Sequence, residues 1–226
     1  MKYGASVSTL FTTRAGGVSQ GAFASLNLAL HVGDAPADVQ ANRAIVAQGL
    51  EKVQYMNQVH GNRVVIVEEF TEAEPTADAL VTGIPGLHLA VMVADCIPLL
   101  LSSDVAVAAV HVGRRGLIND VTRSALHAMR EIGAEKISAI VGPSICGRCY
   151  EVSEDVYSEV TNLHPLAASR TAKDTFALDL PAALHAVLAS ESVAIVDDFS
   201  CTFENSNHFS YRRDGITGRQ AGIISL

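Results

Sequence analysis

The stretch that decides the fold class is residues 87–112, LHLAVMVADCIPLLLSSDVAVAAVHV. It holds three almost uninterrupted apolar runs, at residues 87–93, 97–101 and 105–110, and a fourth run lies upstream at residues 64–67. Short apolar runs rich in valine, isoleucine and leucine and bounded by turn residues are typical of strands buried on both faces. The middle of the chain therefore predicts a sheet that is covered on both sides.

Segments with helical spacing flank these strands. One begins at Pro36, with Asp34 or Ala35 as its cap, and is expected to end near Leu50. Others are predicted over residues 118–132, 153–160 and 180–188, whereas residues 12–24 are rich in glycine, threonine and serine and predict a loop. Helices interleaved with buried strands indicate the α/β or mixed α+β class. The order of the strands does not follow from this pattern.

The composition indicates one domain over residues 1–226. Hydrophobic residues make up 49% of the chain, which is enough for a substantial core, and no repeat, linker or charge run divides it. The formal net charge of -8 opposes binding to nucleic acid or to an anionic membrane surface. The longest apolar region, residues 87–101, contains Asp95 and Pro98 and is too short to span a bilayer.

The amino terminus and the cysteine content indicate the compartment. Residues 1–14 show no uninterrupted apolar stretch and no cleavage site of a secretory signal. The 4 cysteines are too few for a disulfide scaffold, and in a reducing compartment they would serve as thiols or metal ligands. We therefore expect a cytoplasmic protein.

Three metal-binding side chains close three separate extended segments. His60 precedes Gly61, which would let the chain turn, Cys96 lies between a buried run and Pro98, and His111 ends the run 105–110. The ends of neighbouring strands can converge at one edge of a sheet. One thiolate and two imidazoles suit Zn²⁺ and leave its fourth coordination position open, which indicates catalysis rather than scaffolding.

The same residues allow other interpretations. Taken singly, a cysteine or histidine at the end of an apolar strand is most often a packed core residue. Cys96 and His111 could also act as nucleophile and base without a metal, and a metal-stabilised binding protein would need the same ligands. The wide spacing of the three residues matches no compact zinc-finger motif, so the residue types leave these alternatives open.

Cys146 and Cys149 form a C-x-x-C pair. Such a pair is compatible with redox chemistry or with half of a second zinc site. No partner pair exists in the sequence. We therefore expect packing, or one residue that lines the pocket, and assign the pocket role to Cys149.

Several sequence blocks, in order along essentially the whole chain, resemble one known family. They are FTTRAGGVS (11–19), SLNL (25–28), NQVHG (57–61), ADCIP (94–98), HVG (111–113), GPSI (142–145), CYEV (149–152), FSYRRD (209–214) and TGR (217–219). Together they are similar to the purine nucleoside phosphorylase family formerly called polyphenol oxidase or laccase-domain proteins, some of whose members are described as peptidoglycan editing factors.

The resemblance implies a layered α/β/β/α sandwich with Zn²⁺ bound by His60, Cys96 and His111. It also implies phosphate-dependent cleavage of adenosine, inosine, guanosine or 5′-methylthioadenosine, with adenosine deamination as a companion activity. The partners would be purine nucleosides and phosphate, and we expect a monomer or small homo-oligomer. A similar fold in a deamidating toxin keeps a Cys96/His111 thiol hydrolase or amidase, acting on wall precursors, as the alternative.

We assign the remaining site residues on this basis. Arg115, with Arg14 and Arg212, is expected to neutralise phosphate, helped by backbone N–H groups where a loop at 113–116 enters a helix. Asp95 is a candidate partner of a ligating histidine or a proton acceptor, provided that the preceding strand has ended by Ala94.

Uncharged residues and one departure from the family pattern complete the candidate site. Asn27 and Gln58 lie in matching blocks and are candidates to bind the sugar or the base. The family usually has HAGWRG after the third ligand, whereas this chain has HVGRRG, with Arg114 in the tryptophan position. An arginine there could stack on a purine or add positive charge for phosphate.

Overall fold

Two mixed β-sheets form the centre of the computed structural model, which describes residues 7–50 and 52–226. In chain order the strands are β1 (Ser8–Phe11), β2 (Lys52–Gln54), β3 (Val64–Ile66), β4 (Ala79–Thr82), β5 (Leu87–Val93), β6 (Ile97–Ser102), β7 (Val107–Val112), β8 (Ser138–Val141), β9 (Ala168–Arg170), β10 (Phe176–Leu178), β11 (Ala194–Asp197) and β12 (Gln220–Ser225). The helices are α1 (Pro36–Val46), α2 (Arg114–Ile118), α3 (Val121–Glu131), α4 (Glu154–Leu163), α5 (Leu180–Ser190) and α6 (Tyr211–Asp214).

The first sheet has the strand order β1-β12-β5-β2, and the second has the order β11-β8-β6-β7-β4-β3. The pairs β2–β5, β3–β4 and β8–β11 are parallel and the other pairs within these two sheets are antiparallel. The strand predicted at 87–93 is confirmed in full, and those predicted at 97–101 and 105–110 are shifted by one or two residues at their ends. Because β5 belongs to the first sheet and β6 to the second, the chain crosses between the sheets at residues 94–96.

The side chains of β5 alternate between two cores. Leu89, Val91 and Val93 pack between the two sheets, whereas Ala90 and Met92 pack in the core on the side of α1. The outer face of the second sheet is covered by α3, α4 and α5. Both faces of β5 are therefore buried, as the apolar run predicts, and the layer order is the α/β/β/α sandwich that the family resemblance implies.

Three of the four predicted helices are confirmed. The first begins at Pro36 as expected but ends at Val46, short of the predicted end, and the chain then turns through Gly49 with a φ of 85°. Ser153 caps α4, because its hydroxyl accepts the backbone N–H of Val156. The predicted helix at 180–188 corresponds to α5.

The single helix predicted over residues 118–132 is wrong. The chain forms two helices, α2 and α3, separated at Asp120, whose φ of 64° lies in the left-handed region that interrupts an α-helix. The expected loop at 113–116 is also wrong, because Gly113 is the N-cap and α2 begins at Arg114. Within α3 the helical spacing of Leu126 and Met129 does mark the buried face.

Among the described residues, no helix combines the length and the apolar character that crossing a bilayer would require. The expectation about a secretory signal concerns residues 1–14, of which residues 1–6 lie outside the described part of the chain.

Leu100 tests the packing between the two sheets, because its side chain is fully buried there. We expect Leu100→Ala to lower the free energy of unfolding by about 2–5 kcal/mol, through lost apolar burial and the cavity left behind. Ile216→Ala is the control, since Ile216 is 70% exposed, and should change stability by less than about 0.5 kcal/mol. Urea unfolding of both variants measures the difference, and equal effects would contradict the proposed packing.

Candidate metal centre

The three predicted ligands lie in three different elements of the backbone. His60 lies in a loop after the isolated bridge at Asn57, Cys96 lies in the crossing between β5 and β6, and His111 lies within β7. The expectation that each ligand ends a strand at one edge of a single sheet is therefore wrong. The turn at the first ligand is made by His60 itself, with a φ of 59°, rather than by Gly61.

The three side chains nevertheless converge. One ligand atom from each of His60, Cys96 and His111 lies within 4.8 Å of the other two. The two imidazole rings meet edge to face, with their centroids 4.6 Å apart. Tetrahedral Zn²⁺ with these donors needs ligand atoms about 3.3–3.6 Å apart, so small side-chain movements suffice to complete a site.

Gly113 leaves room for this convergence. A Cβ added to Gly113 would lie 2.9 Å from Nδ1 of His60 and 3.0 Å from Sγ of Cys96. Contacts this short would displace the side chain of His60 or Cys96, so a glycine at this position favours their convergence.

A buried carboxylate, Asp78, joins two of the ligands. Its Oδ1 lies 2.8 Å from Nδ1 of His111 and accepts the backbone N–H of His60 at 2.9 Å. Its Oδ2 accepts the backbone N–H groups of Val59 and Gly61. Asp78 thus fixes the His60 loop and leaves Nε2 of His111 to face the other ligands, which is the usual arrangement of a carboxylate behind a metal-binding histidine.

Electrostatics favour a thiolate at Cys96. Burial raises the pKa of Cys96, but the neighbouring rings of His111 and His60 outweigh it and lower the pKa to about 6. Burial lowers the pKa of His111, but Cys96 and Asp78 outweigh it and raise the pKa to about 9. Burial raises the pKa of Asp78, but its hydrogen bonds with His111 and with the backbone N–H groups of Gly61 and Val59 outweigh it and lower the pKa. Binding of a metal ion would release the proton of His111, and the group would then offer one thiolate and two imidazoles, a donor set that fits Zn²⁺ with one position left for another ligand.

These ligands form one wall of a cavity of about 370 Å³, a size that suits a small-molecule ligand. Backbone and side chains of β5, β7 and α2 line it together with residues that follow β8 and residues of α6. Among the predicted residues, the lining includes Gln58, Asp95, Arg114 and Arg212. The cavity therefore lies where the two sheets meet.

Asp95 lies beside the cavity but hydrogen-bonds other groups than expected. The strand β5 ends at Val93, as the use of both Asp95 and Cys96 requires, and Asp95 has a φ of 88°. Its carboxylate accepts the hydroxyl of Thr202 at 2.7 Å and the backbone N–H of Arg212 at 2.6 Å. The partner of the ligating histidine is Asp78 instead, and Asp95 positions the start of α6.

Two of the predicted arginines line the cavity. Arg114 donates from Nη1 to Glu159 at 2.7 Å, and Arg212 donates from Nη1 to the carbonyl oxygen of Glu151 at 2.7 Å. The guanidinium carbon of Arg212 also lies 5.1 Å from the ring centre of Tyr150, in a cation–π contact.

The other two predicted arginines lie outside the cavity lining. Arg115 is exposed, because successive residues of a helix point in directions about 100° apart and its neighbour Arg114 takes the cavity side. Arg14 is half-buried, donates from Nε to the carbonyl oxygen of Ala24, and covers the ring of Phe209 at 4.9 Å. Arg115 and Arg14 therefore lie outside the cavity in which we expected them to bind phosphate.

Gln58, Asn27 and Cys149 bind protein groups. Gln58 uses both ends of its amide on the backbone of Met92, at 2.8 Å each, and its side chain still borders the cavity. Asn27 is fully buried and accepts the backbone N–H of Arg219. Cys149 lies outside the cavity lining, in a separate cluster of thiols.

The fold brings several residues to the site that the sequence analysis did not assign, and for Tyr150 and Arg219 the family-like blocks were the available signal. Asp78 is a single acidic residue before an apolar strand, a common position for a solvated carboxylate. Tyr150 and Arg219 lie within the family-like blocks and line the cavity, as does His31. Burial, together with the nearby cation Arg219, lowers the pKa of His31.

Comparisons with known proteins agree on one family. Residues 8–226 match the profile described as "Multi-copper polyphenol oxidoreductase laccase". A Corynebacterium glutamicum protein named purine nucleoside phosphorylase is 44% identical over 97% of this chain and 94% of its own length. A Streptomyces coelicolor protein with the same name is 45% identical over 96% of this chain and 94% of its own length.

Solved structures have the same fold. A Neisseria meningitidis protein described as a DUF152 family member superposes with a TM-score of 0.90 at 39% identity, covering 100% of this chain and 97% of its own. YlmD from Geobacillus stearothermophilus superposes with a TM-score of 0.88 at 32% identity, covering 100% of this chain and 93% of its own.

Asp78→Asn tests the carboxylate behind the ligands. An amide cannot accept the N–H groups of the His60 loop with both of its ends, so we expect zinc affinity to fall about 10–100-fold. Competition with a chromogenic chelator measures this affinity. Asp104→Asn, at an exposed position, is the control and should leave it unchanged. Equal affinities of the two variants would rule out the role of Asp78.

Gly113→Ala tests the steric requirement. The added methyl group displaces His60 or Cys96, so we expect the metal content of the purified variant to drop well below that of the parent. Gly49→Ala is the control, because Gly49 has a positive φ but its added Cβ would meet no atom within 4 Å. That variant should lose some stability and keep the metal content of the parent, which thermal unfolding and metal analysis measure. The same metal content in Gly113→Ala and in the parent would refute the argument.

Proposed function

The chain belongs to the family described as "Multi-copper polyphenol oxidoreductase laccase", and from that membership we propose that it is a zinc-dependent purine nucleoside phosphorylase. The observation that carries this proposal is the convergence of His60, Cys96 and His111 on a cavity that is also lined by arginines. The names of the curated relatives supply the reaction class.

We propose that His60, Cys96 and His111 hold the ion. When bound, Zn²⁺ would act as a Lewis acid towards a group in its open position and lower the pKa of a coordinated water. One thiolate and two imidazoles are fewer ligands than a multicopper centre needs, which favours zinc over the copper of the family name. Metal analysis of the purified protein distinguishes the two metals.

Arginines supply the positive charge for phosphate. Arg212 and Arg219 both line the cavity, and each uses one Nη on backbone carbonyl oxygens. Since a guanidinium has five N–H donors, each keeps further donors for an anion, in the fork geometry that suits phosphate. Asp95 holds the backbone of Arg212, and Asn27 holds the backbone of Arg219. We therefore give Asp95 and Asn27 positioning roles.

Aromatic and planar groups in the cavity supply a surface for the base. Tyr150 lines the cavity together with Arg114 and Arg212, and the guanidinium group of Arg114 could stack on a base where the family has an indole. The ion pair with Glu159 would hold the plane of Arg114 in place. A purine stacked here would direct its ribose towards the metal ligands.

The reaction proposed is phosphorolysis. A phosphate oxygen forms a bond to C1′ of the ribose while the bond between C1′ and the purine nitrogen breaks, and its electron pair leaves with the base, which then takes up a proton. The products are the free purine and ribose 1-phosphate, or 5-methylthioribose 1-phosphate when the substrate is 5′-methylthioadenosine. The arginines would offset the charge of the incoming phosphate. The cavity walls would shield the bound nucleoside and phosphate from water.

We extend the proposal to adenosine, inosine, guanosine and 5′-methylthioadenosine as substrates, with adenosine deamination as a companion activity. We also propose a cytoplasmic enzyme, because the thiols that the site requires persist in a reducing compartment. We also propose a monomer or small homo-oligomer.

Product analysis tests the reaction directly. We expect the zinc-loaded protein to release free base and ribose 1-phosphate from adenosine or inosine only when phosphate is present. Release of ribose without dependence on phosphate, or no turnover with zinc bound, would overturn the proposal. Appearance of inosine from adenosine in the absence of phosphate measures the companion deamination separately.

Arg212→Met tests the assigned phosphate contact. Loss of a charge-assisted hydrogen bond is worth about 1.5–3 kcal/mol, so we expect the KM for phosphate to rise about tenfold or more, with a smaller effect on the KM for the nucleoside. Arg130→Met is the control, because Arg130 pairs with Glu191 on the surface. Steady-state kinetics with each substrate varied give both constants. A selective rise in the nucleoside KM would place Arg212 at the base instead.

A second candidate is favoured by one observation. The lowered pKa of Cys96 beside His111, whose pKa is raised, is also the pattern of a nucleophilic thiolate and its imidazolium partner. A thiol hydrolase or amidase acting on peptidoglycan precursors would use it without metal. Activity that survives verified zinc removal but is lost in Cys96→Ser would support this candidate against the phosphorylase.

A further inference from the structure

A second group of metal-ligating side chains lies outside the cavity lining. It consists of Cys146, Cys149, Cys201 and Glu204, whose ligand atoms all lie within 4.8 Å of one another. The C-x-x-C pair thus finds its missing partners 52 or more residues later in the chain, where sequence spacing gives no motif. The structure has no disulfide among these cysteines.

The local backbone presents these thiols to one point. Cys149 and Tyr150 both donate their backbone N–H to the carbonyl oxygen of Cys146, which closes a tight turn between the two cysteines. Gly147 within this turn packs against Asp179, since an added Cβ would lie 2.7 Å from its Cβ. The turn is therefore held in a conformation in which both thiols face Cys201.

Cys201 lies in a position typical of a metal-bound thiolate. The side chain is 7% exposed, and its Sγ accepts the backbone N–H of Cys146 at 3.4 Å and a backbone N–H of Glu204. Thiolate ligands commonly receive such N–H donors, which stabilise their negative charge. Glu204 is exposed and contacts Sγ of Cys149 at 3.5 Å, so it leaves a path for an ion from solvent.

Negative charges on three thiols and one carboxylate at these distances would repel one another unless a cation lies between them. A doubly charged ion would offset this repulsion. Three thiolates and one carboxylate fill all four positions of tetrahedral Zn²⁺, in contrast to the three-ligand centre at His60, Cys96 and His111.

We propose that Cys146, Cys149, Cys201 and Glu204 bind a second Zn²⁺ in a closed, structural site. The ion joins the segment after β8 to the segment after β11, which also meet at the bridge between Ser144 and Cys201. Ile145 and Tyr150, which flank the C-x-x-C turn, are walls of the catalytic cavity. The second zinc therefore holds one side of that cavity without contacting substrate.

Metal stoichiometry of the full-length protein, purified under reducing conditions, reconstituted with zinc and desalted, tests this site. We expect two zinc ions per chain in the parent, one in Cys96→Ser, one in Cys149→Ser and none in the double variant. In Cys96→Ser loaded with cobalt, the remaining ion should still show the thiolate-to-cobalt charge-transfer absorption of a thiolate-rich site. A chelator should lower the melting temperature of Cys96→Ser but not that of the double variant.

Glu204→Gln tests the site with a surface substitution that preserves the fold. We expect a chelator to remove the second zinc at least several-fold faster than from the parent, whereas Glu135→Gln, an exposed control, should behave as the parent does. One zinc per chain in the parent, two in Cys149→Ser, or alkylation of Cys146, Cys149 and Cys201 at the same rate with and without zinc would overturn the proposal. So would a disulfide between these cysteines in freshly purified protein. None of these outcomes depends on whether the protein cleaves nucleosides.

Discussion

The buried carboxylate of Asp78 is the contact on which the site depends. It is fully buried, and such a group is tolerated only when its oxygens are paired. The partners are three consecutive backbone N–H groups of the His60 loop and Nδ1 of His111. These bonds hold the His60 loop and strand β7 in one arrangement, although the two segments share no regular hydrogen-bond ladder near the ligands. The bonds that offset the cost of burying the Asp78 charge also bring His60 and His111 together.

The layers of the fold could be predicted from the sequence because burial on both faces leaves a direct trace in residue type. The runs in β5, β6 and β7 contain almost no polar residue, and such strands must be covered on both sides. The break between α2 and α3 left no such trace, because the apolar spacing continues through Asp120 and only its backbone conformation interrupts the helix. Periodicity reports which face is buried, whereas single left-handed residues set where a helix ends.

Residue chemistry selected the three candidate ligands but did not predict how their side chains converge. A cysteine and two histidines are a known donor set, yet His111 lies within a strand and Cys96 in a crossing between sheets. Asp78 could not be assigned to the site from the sequence, since one acidic residue before a strand forms no recognisable pattern. The neighbours Arg114 and Arg115 show the same limit, because only the orientation of a short helix decides which of the two faces the cavity.

Asp95 connects the group of His60, Cys96 and His111 to the thiol cluster across the wall of the cavity. It precedes the ligand Cys96, its backbone carbonyl accepts the N–H of Ile145, and its carboxylate accepts the hydroxyl of Thr202. Ile145 and Thr202 are in turn the immediate neighbours of Cys146 and Cys201. Because these contacts are short and buried, a shift of the thiol cluster must move Asp95, and with it the backbone that carries the Cys96 ligand. A closed coordination sphere at the cluster would limit such shifts, and the open sphere at His60, Cys96 and His111 would then keep its geometry while substrates enter and leave.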